Sequence, residues 1–390
     1  MKNNSHNAPR IGIIGGGQLA KMTAISAINY GCEIVILERS KKSPAENLAT
    51  EIIYGDWDDP ENLLKLANKV DVITLENEFV DANSLKVLEE EGYSLCPSSR
   101  TISLVQDKLI QKKALNNAGI PVVTFVEIES RQDIINHADK LGWPIILKAR
   151  RDAYDGKGNY TVDNKDSVDS AWAKLNGDKK KLYIENFCDF KSELAVIITR
   201  NVNGEVSTYP IVESIQKNHI CHIVRAPANI NNEIAKKALD LAIKAVEAID
   251  GTGSIGVEMF LTKNNEIIVN EMAPRVHNTG HYTIEACETS QFENHVRAVL
   301  GLPLGSTRMV APAAVMINML GNKEGNGFPT GIEKALAING VHIHVYGKTT
   351  TRIGRKMGHV TALGSCIAEA ENVAIEAATL INFGKKNDAK

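Results

Sequence analysis

The chain has 390 residues, 43% of them hydrophobic and 23% charged, so it is long enough for two or three domains with cores of their own. Its net charge of −3 argues against binding to nucleic acid. The first segment lacks the apolar core of a signal peptide, and no run approaches the ~20 apolar residues of a membrane span, which argues against insertion into a membrane. Its six cysteines lack the CxxC spacing of zinc sites, which favours a reducing, cytoplasmic location.

The first elements predict a β-α-β unit with a glycine-rich loop. An apolar strand over 10–14 runs into the loop 15–20, a helix is expected to about Asn29, and a second strand over 33–37 ends at Glu38. The loop carries the fingerprint G-x-G-x-x-A, with an acidic residue about twenty positions later, as in dinucleotide-binding folds. The same pattern also suits a doubly wound domain whose helix N-terminus holds another anion. The motif alone leaves both possibilities open.

Polar residues after the first strands indicate a crevice. A strand over 70–75 opens into Glu76, and ligands of such sheets lie at the carboxyl ends of the strands. Gln18 and Glu76 are therefore expected to line one crevice, the alternative being a solvated loop around Glu76. A helix is predicted over 101–118, where spacing alone makes Lys108 a surface residue.

A lysine in an apolar strand marks the middle of the chain. Lys148 stands near the end of the strand 145–150, and a charge is seldom buried there unless it is paired. The Gly/Lys loop from Tyr154 to Gly158 follows, and its backbone N–H groups and ammonium can lie on phosphates. Together they indicate binding of nucleotide phosphates; the alternative is a basic hairpin tip.

The next strands bring two further acidic residues. Glu185 lies in a short strand over 182–187, and Glu193 precedes another strand. An amphipathic helix over 232–249 then leads into a hairpin. After the hairpin, a single helix is expected over 282–300.

The hairpin places two carboxylates opposite each other. If Asn264 and Asn265 are the two loop residues, Glu258 faces Glu271 across the strands. Like charges at about 5 Å repel, so such a pair needs a cation between its members or a shared proton. The alternative is that one glutamate is buried and the other solvated.

Two polar loops complete the pattern. The segment 274–281 follows the hairpin and carries Arg275, His277 and Asn278, which favours an anionic substrate beside a divalent metal. A later basic loop includes Lys348 and Arg355, which can hold a phosphate; the alternative is a solvated, charged turn.

The order of these segments resembles that of the ATP-grasp family. The segments are GGGQL after the first strand, QDKL, LKAR with YDGKG, IEN with a later Glu, VEMF with NEMAPRVHNTGHY, and RKMGH. Within that family the chain is similar to the N5-carboxyaminoimidazole ribonucleotide synthetases of purine biosynthesis, from about Ile11 to at least His359. The NExAPRxHNxGH and RKxGH segments distinguish this group from biotin carboxylases and from ligases that share only the ATP site.

The resemblance implies a fold of the α/β and α+β classes. It would be an ATP-grasp fold with a doubly wound N-terminal domain, a small lid and a mixed C-terminal sheet. The expected boundaries are 1–105 for the N-terminal domain, 106–190 for a linker helix and the lid, and 191–390 for the C-terminal domain with its β-rich end.

The resemblance also implies an ATP site between the lid and the C-terminal sheet. Glu258 and Glu271 would hold Mg²⁺, with Mn²⁺ as an alternative. Lys108 and Lys148 would contact the phosphates of the nucleotide, and Glu185 and Glu193 would reach its adenine-ribose end. Tyr154 and Gly156, in the glycine loop of the lid, would also bind it.

The second substrate implied is aminoimidazole ribonucleotide. Its contacts would be Gln18, Glu76, Tyr154, Asp155, Lys157, Arg275 and His277, with Lys348 and Arg355 on its 5′-phosphate. The residues expected at the reacting atoms are Asp155, Lys157, Arg275, His277 and Asn278.

The implied reaction is that of an ATP-dependent ligase. Bicarbonate and ATP would give carboxyphosphate and ADP, and the exocyclic amine of the ribonucleotide would then be carboxylated. The amine proton would go to the leaving phosphate or to Asp155. The resemblance further implies a homodimer and a downstream mutase that is a separate protein.

Four positions depart from the pattern of the family. Asp152 and Ala153 stand where two glycines are usual, Lys108 stands where Arg is common, Phe79 replaces an Asn, and Ala273 replaces an Asn that often binds the metal. Three alternatives stay open: another ATP-grasp carboxylase or ligase, a non-catalytic nucleotide-binding paralogue, and a dinucleotide-dependent oxidoreductase built on the glycine loop.

Overall fold

The N-terminal part of the chain alternates strands with helices. The computed structural model describes residues 8–152, 158–217 and 219–384. The elements of this part are β1 (Arg10–Ile14), α1 (Gln18–Ile28), β2 (Glu33–Glu38), β3 (Glu51–Tyr54), α2 (Pro60–Ala67), β4 (Val72–Leu75) and α3 (Ala82–Glu90). The strands pair in parallel in the order β3-β2-β1-β4. Ile13 packs towards α1 and Ile14 towards α2 and α3, so both faces are covered, and the predicted doubly wound sheet is confirmed.

The segment after this sheet contains two helices where one was predicted. They are α4 (Ser99–Gln106) and α5 (Lys108–Asn117). The break lies at Asp107, whose backbone is extended and whose carboxylate accepts the N–H groups of Leu109 and Ile110. A carboxylate that caps a helix favours a new start at that point, so Lys108 begins α5.

Asp107 is expected to be one of the main stabilising residues of this junction. Its buried carboxylate also accepts two hydrogen bonds from Arg150 Nε, both at 3.0 Å. Asp107→Ala should therefore cost about 3 kcal/mol of unfolding free energy, because a cap and the partner of a partly buried cation are lost together. Asp59→Ala, which removes the cap of α2 and a hydrogen bond from Asn62 but no ion pair, should cost about 1 kcal/mol. Urea denaturation measures both values, and equal losses would contradict the role of the ion pair.

A small antiparallel sheet with two helices follows. Its elements are β5 (Phe125–Glu127), α6 (Arg131–Leu141), β6 (Ile145–Ala149), β7 (Asn159–Val162), α7 (Val168–Lys174) and β8 (Leu182–Asn186), in the order β5-β8-β6-β7. Leu147 and Ile184 pack in the core that α6 and α7 cover. Because side chains alternate along a strand, Lys148 and Glu185 lie on the opposite face.

The remaining chain forms a nine-stranded sheet, a two-stranded sheet and five helices within the described ranges. The elements are β9 (Phe190–Arg200), β10 (Val206–Thr208), β11 (Val212–Lys217), β12 (Ile220–Ala226), α8 (Asn232–Ala248), β13 (Gly253–Thr262), β14 (Ile267–Ala273), α9 (Thr283–Ala286), α10 (Gln291–Val299), β15 (Ala313–Leu320), β16 (Gly325–Asn326), α11 (Ile332–Ala335), β17 (Val341–Val345), β18 (Thr350–Thr351), β19 (Lys356–Gly364) and α12 (Ile367–Leu380). The large sheet has the order β14-β13-β9-β11-β12-β15-β19-β17, with β10 beside β9.

The prediction of a single helix over 282–300 is wrong, because two separate helices, α9 and α10, lie there. Cys287 is extended and bridges to Met309, and Glu288 donates its N–H to the carbonyl of Arg308. Ser290 then caps α10 by accepting from the N–H of Glu293. A tertiary strand contact therefore separates α9 from α10, which local spacing does not show.

Parallel and antiparallel sheets thus occur in one chain, and the predicted fold class is confirmed. The boundaries at residues 105 and 190 stay predictions. In the ranges that the structure describes, the helices are all too short or too polar to span a bilayer.

Candidate active site

One cleft of about 620 Å³ lies where the start of α1 and the loop after β4 meet residues of the small sheet and of the nine-stranded sheet. It is lined by every candidate site residue that the structure describes: Gln18, Glu76, Lys108, Lys148, Glu185, Glu193, Glu258, Glu271, Arg275, His277, Asn278, Lys348 and Arg355. The other four candidates, Tyr154, Asp155, Gly156 and Lys157, lie outside the described residues. Residues separated by more than 300 positions are therefore brought to one place.

The hairpin of β13 and β14 opposes Glu258 and Glu271 as predicted, although the predicted turn is wrong. The loop has three residues closed by Thr262 and Glu266, and Asn265 adopts a left-handed φ of 60°. Beside this loop, the two strands therefore pair one residue out of the predicted register. A β-bulge between Glu258 and Met259 shifts it back, so the two glutamates face each other.

Lys108 balances part of the charge of this pair. Its Nζ donates to Glu271 Oε2 at 2.6 Å. Burial alone would raise the pKa of Glu271, but the charge and hydrogen bond of Lys108 lower it overall. Burial, followed by the charges of Glu271 and Glu193, raises the pKa of Glu258 to about 8. Glu258 therefore favours its protonated form beside the charged Glu271, and a cation between the two carboxylates would favour the charged form of both.

These residues fit a divalent cation. Carboxylate oxygens are the ligands that Mg²⁺ and Mn²⁺ prefer. Asn270, in the bulge beside Glu271, also has a buried Oδ1 that finds no hydrogen-bond partner among the described residues. Over 8–152, 158–217 and 219–384, no group of three or more His, Cys, Asp and Glu side chains could hold a metal alone. A cation held by Glu258 and Glu271 would need ligands from a bound substrate or water.

An ion pair of the small sheet and an aromatic pair of the large sheet, Phe190 on β9 and Phe260 on β13, line the same cleft. Lys148 Nζ lies 2.7 Å from Glu185 Oε2. Burial would raise the pKa of Glu185, but neighbouring lysines, Lys148 first, lower it to about 2. Phe190 and Phe260 stack at 4.6 Å between ring centroids nearby. A planar apolar group and an anionic group can thus be bound side by side.

The loop after β14 is held by buried amides. Gln291 accepts the N–H of His277 at 2.9 Å and donates to the carbonyl of the same residue at 2.7 Å. Asn278 and Asn318 exchange hydrogen bonds through their side-chain amides. Burial, then the charges of Arg275 and Lys356, lowers the pKa of His277 to about 3. At neutral pH the imidazole is therefore uncharged, with Nε2 3.6 Å from Glu258 Oε1.

The glycine loop is already occupied by carboxylates of the chain itself. Glu38 accepts the N–H of Gly16 at 2.7 Å, and Glu76 accepts the N–H groups of Gly17 and Leu19. Burial raises the pKa of Glu76. Since these N–H groups are the ones that a dinucleotide would need, the arrangement does not favour pyrophosphate at this loop.

Two charged residues of the cleft were missed at the level of sequence. Glu78 pairs with Arg275, through Nε and, at 3.1 Å, through Nη2. Lys356 lines the cleft, and its charge acts on Glu258 and His277. Lys356 stands next to Arg355 in the RKMGH segment, so the motif was a usable signal. Glu78 stands two residues after Glu76 in the loop that follows β4, but its pairing with Arg275, 197 positions away, has no local signal.

His295 connects β4 of the N-terminal sheet with β13 of the nine-stranded sheet. Its Nδ1 accepts the N–H of Ser254 at 3.0 Å, and its Nε2 lies 2.8 Å from Thr74 Oγ1. Because the N–H of Ser254 can only donate, Nδ1 carries no proton and the ring is neutral. Burial lowers the pKa of His295 from 6.5 to about 4.

Protonation of His295 should therefore destabilise the fold in acid. Between pH 6.5 and about 4, His295 is protonated in the unfolded chain but stays neutral in the folded chain. The free energy of unfolding therefore decreases as the pH falls through this window. His295→Gln should reduce the loss between pH 7.5 and 4.5 by roughly 2 kcal/mol. Urea denaturation at a series of pH values measures it. An unchanged pH dependence in His295→Gln would contradict this role, and His137→Gln, on a partly exposed helix position, is the control.

Models of three families match successive parts of the chain. They are a ribonucleotide synthetase preATP-grasp domain at 9–106, an ATP-grasp domain at 113–292 and a phosphoribosylaminoimidazole carboxylase C-terminal domain at 314–373. The N5-carboxyaminoimidazole ribonucleotide synthase of Bacillus subtilis is 39% identical over 351 residues, which is 90% of each protein. The chain spans only 64% to 67% of the length of the phosphoribosylaminoimidazole carboxylases of yeasts that it matches.

Solved structures show the same relation. The N5-carboxyaminoimidazole ribonucleotide synthetase of Thermotoga maritima matches with a TM-score of 0.88 and 40% identity, over 97% of this chain and 100% of that one. The synthase of Aspergillus clavatus, in complex with ADP and 5-aminoimidazole ribonucleotide, matches with a TM-score of 0.87 and 36% identity, over 96% and 99%. The chain therefore belongs to the ATP-grasp family and, within it, to the N5-carboxyaminoimidazole ribonucleotide synthetases.

Proposed function

We propose that the protein carboxylates 5-aminoimidazole ribonucleotide with bicarbonate at the expense of ATP, giving N5-carboxyaminoimidazole ribonucleotide, ADP and phosphate. The observation that carries this proposal is the single cleft in which the opposed glutamates, the Lys148–Glu185 pair, the loop 274–281 and the basic loop 348–356 meet. The names and ligands of the relatives support the same substrates.

The nucleotide half of the proposed site consists of charges that neutralise phosphates. Lys108 and Lys148 would contact the phosphates, with Glu185 and Glu193 at the adenine-ribose end. Glu258 and Glu271 would hold Mg²⁺, or Mn²⁺, which when bound would neutralise the charge that develops on the phosphate oxygens. Lys108 Nζ donates to Glu271 at 2.6 Å, so nucleotide binding would move this ammonium from the carboxylate towards a phosphate.

The acceptor half lies beside it. Arg275, His277 and Asn278 would face the imidazole and the reacting carbon, and Gln18 and Glu76 would contact the ribonucleotide from the N-terminal sheet. Lys348 and Arg355 would bind its 5′-phosphate. Because His277 is neutral, its ring can hydrogen-bond to the amine without adding a repelling charge. The contacts of Tyr154, Asp155, Gly156 and Lys157 stay predictions.

The proposed chemistry has two steps. A bicarbonate oxygen attacks the γ-phosphorus and ADP leaves, which forms carboxyphosphate. The amine nitrogen then attacks the carboxyl carbon, the bond from that carbon to the bridging oxygen breaks, and phosphate departs with that oxygen. The proton that the amine loses would go to the departing phosphate or to Asp155. Positioning the two substrates in one cleft and excluding water from carboxyphosphate are the main contributions of the protein.

An ADP-release assay tests the proposal. With ATP, Mg²⁺ and bicarbonate present, we expect adding the aminoimidazole ribonucleotide to stimulate ADP release at least tenfold, and removing bicarbonate to abolish the stimulation. The same rate with and without the ribonucleotide would refute the substrate assignment.

Three further points belong to the proposal. We infer a homodimer, a cytoplasmic location and a separate mutase that uses the product. Sedimentation of the purified protein tests the dimer.

A further inference from the structure

A second lysine lies behind the Lys148–Glu185 pair. Lys112, on α5, is only 2% exposed, and its Nζ lies 3.2 Å from Glu185 Oε1. Lys148 approaches the other oxygen of the same carboxylate, Oε2, at 2.7 Å. Lys148 and Glu185 line the cleft, whereas Lys112 does not. Glu185 is thus held between one lysine that can touch a ligand and one that cannot.

The stability of the fold does not account for Lys112. Its Nζ makes no well-aligned hydrogen bond to any residue within the described ranges. Glu185 already has other partners, because Tyr183 donates to Oε1 at 3.0 Å and Lys148 pairs with Oε2. Taking an ammonium out of water is strongly unfavourable, and an apolar side chain of similar length would fill the same space without that cost. A buried charge that returns little stability suggests a role in the site.

That role follows from the charge balance. Without Lys112, the carboxylate of Glu185 would neutralise Lys148, and the pair would present no net charge to a ligand. With Lys112, two ammonium groups flank one carboxylate, so the group carries one net positive charge. Charges act over several ångströms in a buried, poorly polarisable region. Burial lowers the pKa of Lys112, and the charges of Glu185 and, less strongly, of Glu271 in the cleft oppose that shift and favour the ammonium form.

We propose that Lys112 is a positioning residue that offsets the charge of Glu185, so that Lys148 presents a net positive charge to the phosphates of the nucleotide. This inference rests on the proposed function only in that the cleft binds ATP. Lys112 acts through Glu185 and Lys148 and does not touch the nucleotide.

The test compares nucleotide binding with nucleoside binding. Kd values for ATP with Mg²⁺, and for adenosine, are measured by calorimetry on the full chain. Lys112→Met should raise the Kd of ATP about tenfold and leave that of adenosine within about twofold, because adenosine has no phosphate charge. Lys113→Met is the matched control, since Lys113 is the next residue of the same helix but half-exposed and paired with Glu127 on the surface. It should change neither value.

Two outcomes would overturn the proposal. One is an unchanged Kd of ATP in Lys112→Met. The other is an equal loss for ATP and adenosine, which is the result of a merely structural role. If Lys112→Met does not fold, Lys112→Gln serves instead, because its side chain is polar but carries no charge, and the same selective loss of ATP binding is expected.

A double-mutant cycle isolates the electrostatic coupling. In a Glu185→Gln background there is no carboxylate for Lys112 to offset, so adding Lys112→Met should weaken ATP less than it does in the wild-type background. Equal effects in both backgrounds would contradict the proposal. None of these measurements requires the ribonucleotide, so a failure of the carboxylation assay and a failure of this inference are told apart.

Discussion

Replacing Glu271 by Gln is expected to lower kcat about a thousandfold while the protein stays folded. The substitution keeps the shape of the side chain but removes one of the two opposed carboxylates that would hold the metal. The fold tolerates the change for an electrostatic reason. Lys108 loses its partner at 2.6 Å, but the repulsion between Glu271 and Glu258 disappears as well. The rate of ADP release at saturating substrates measures the effect, and circular dichroism checks the fold.

The matched control for this substitution lies on the same hairpin. Glu266→Gln removes an exposed carboxylate at the turn, far from the cleft, and should leave kcat within about twofold. A second readout is the binding of Mn²⁺ in the presence of ADP, which Glu271→Gln should weaken. Full activity in Glu271→Gln would refute the metal-binding role of the hairpin.

Replacing Arg275 by Met is expected to affect both activity and stability. Arg275 pairs with Glu78 through two nitrogens, and both side chains are less than 20% exposed. Its removal leaves Glu78 partly buried without a cation, which should cost about 3 kcal/mol of unfolding free energy. The acceptor half of the site also loses a charge, so kcat/KM for the ribonucleotide should fall at least a hundredfold.

A second substitution separates the two effects. Neutralising the orphaned carboxylate in Arg275→Met/Glu78→Gln should recover most of the stability, because no unpaired charge is left. Activity should stay low, because the contact to the substrate is still missing. Urea denaturation and steady-state kinetics measure the two quantities. Recovery of activity together with stability would mean that Arg275 supports the fold only.

The sequence predicted best what depends on local pattern. The first β-α-β unit, the strand with Lys148 and the hairpin all follow from apolar spacing and turn residues. The opposition of Glu258 and Glu271 was predicted from a two-residue turn, whereas the real turn has three residues and a bulge restores the register. That agreement came from two departures that cancel, because bulges leave no clear local signal.

What the sequence missed depends on contacts between distant residues. Lys108 has the spacing of a surface lysine, but its partner Glu271 lies in another domain of the predicted architecture. Glu78 was missed for the same reason, and so was the strand contact of Cys287 that divides a predicted helix. The site residues were predicted mainly from the order of the motifs along the chain, because composition and spacing alone were equally compatible with a dinucleotide-binding site.

The path of one oxygen atom tests the carboxylation most directly. The protein is supplied with ATP, Mg²⁺, the aminoimidazole ribonucleotide and bicarbonate labelled with ¹⁸O, and the phosphate released is examined by mass spectrometry. If bicarbonate attacks the γ-phosphorus, one ¹⁸O atom must appear in each phosphate, in step with ADP and only when the ribonucleotide is present. Phosphate whose new oxygen comes from water would show that the protein hydrolyses ATP without activating bicarbonate, and would contradict the proposed function.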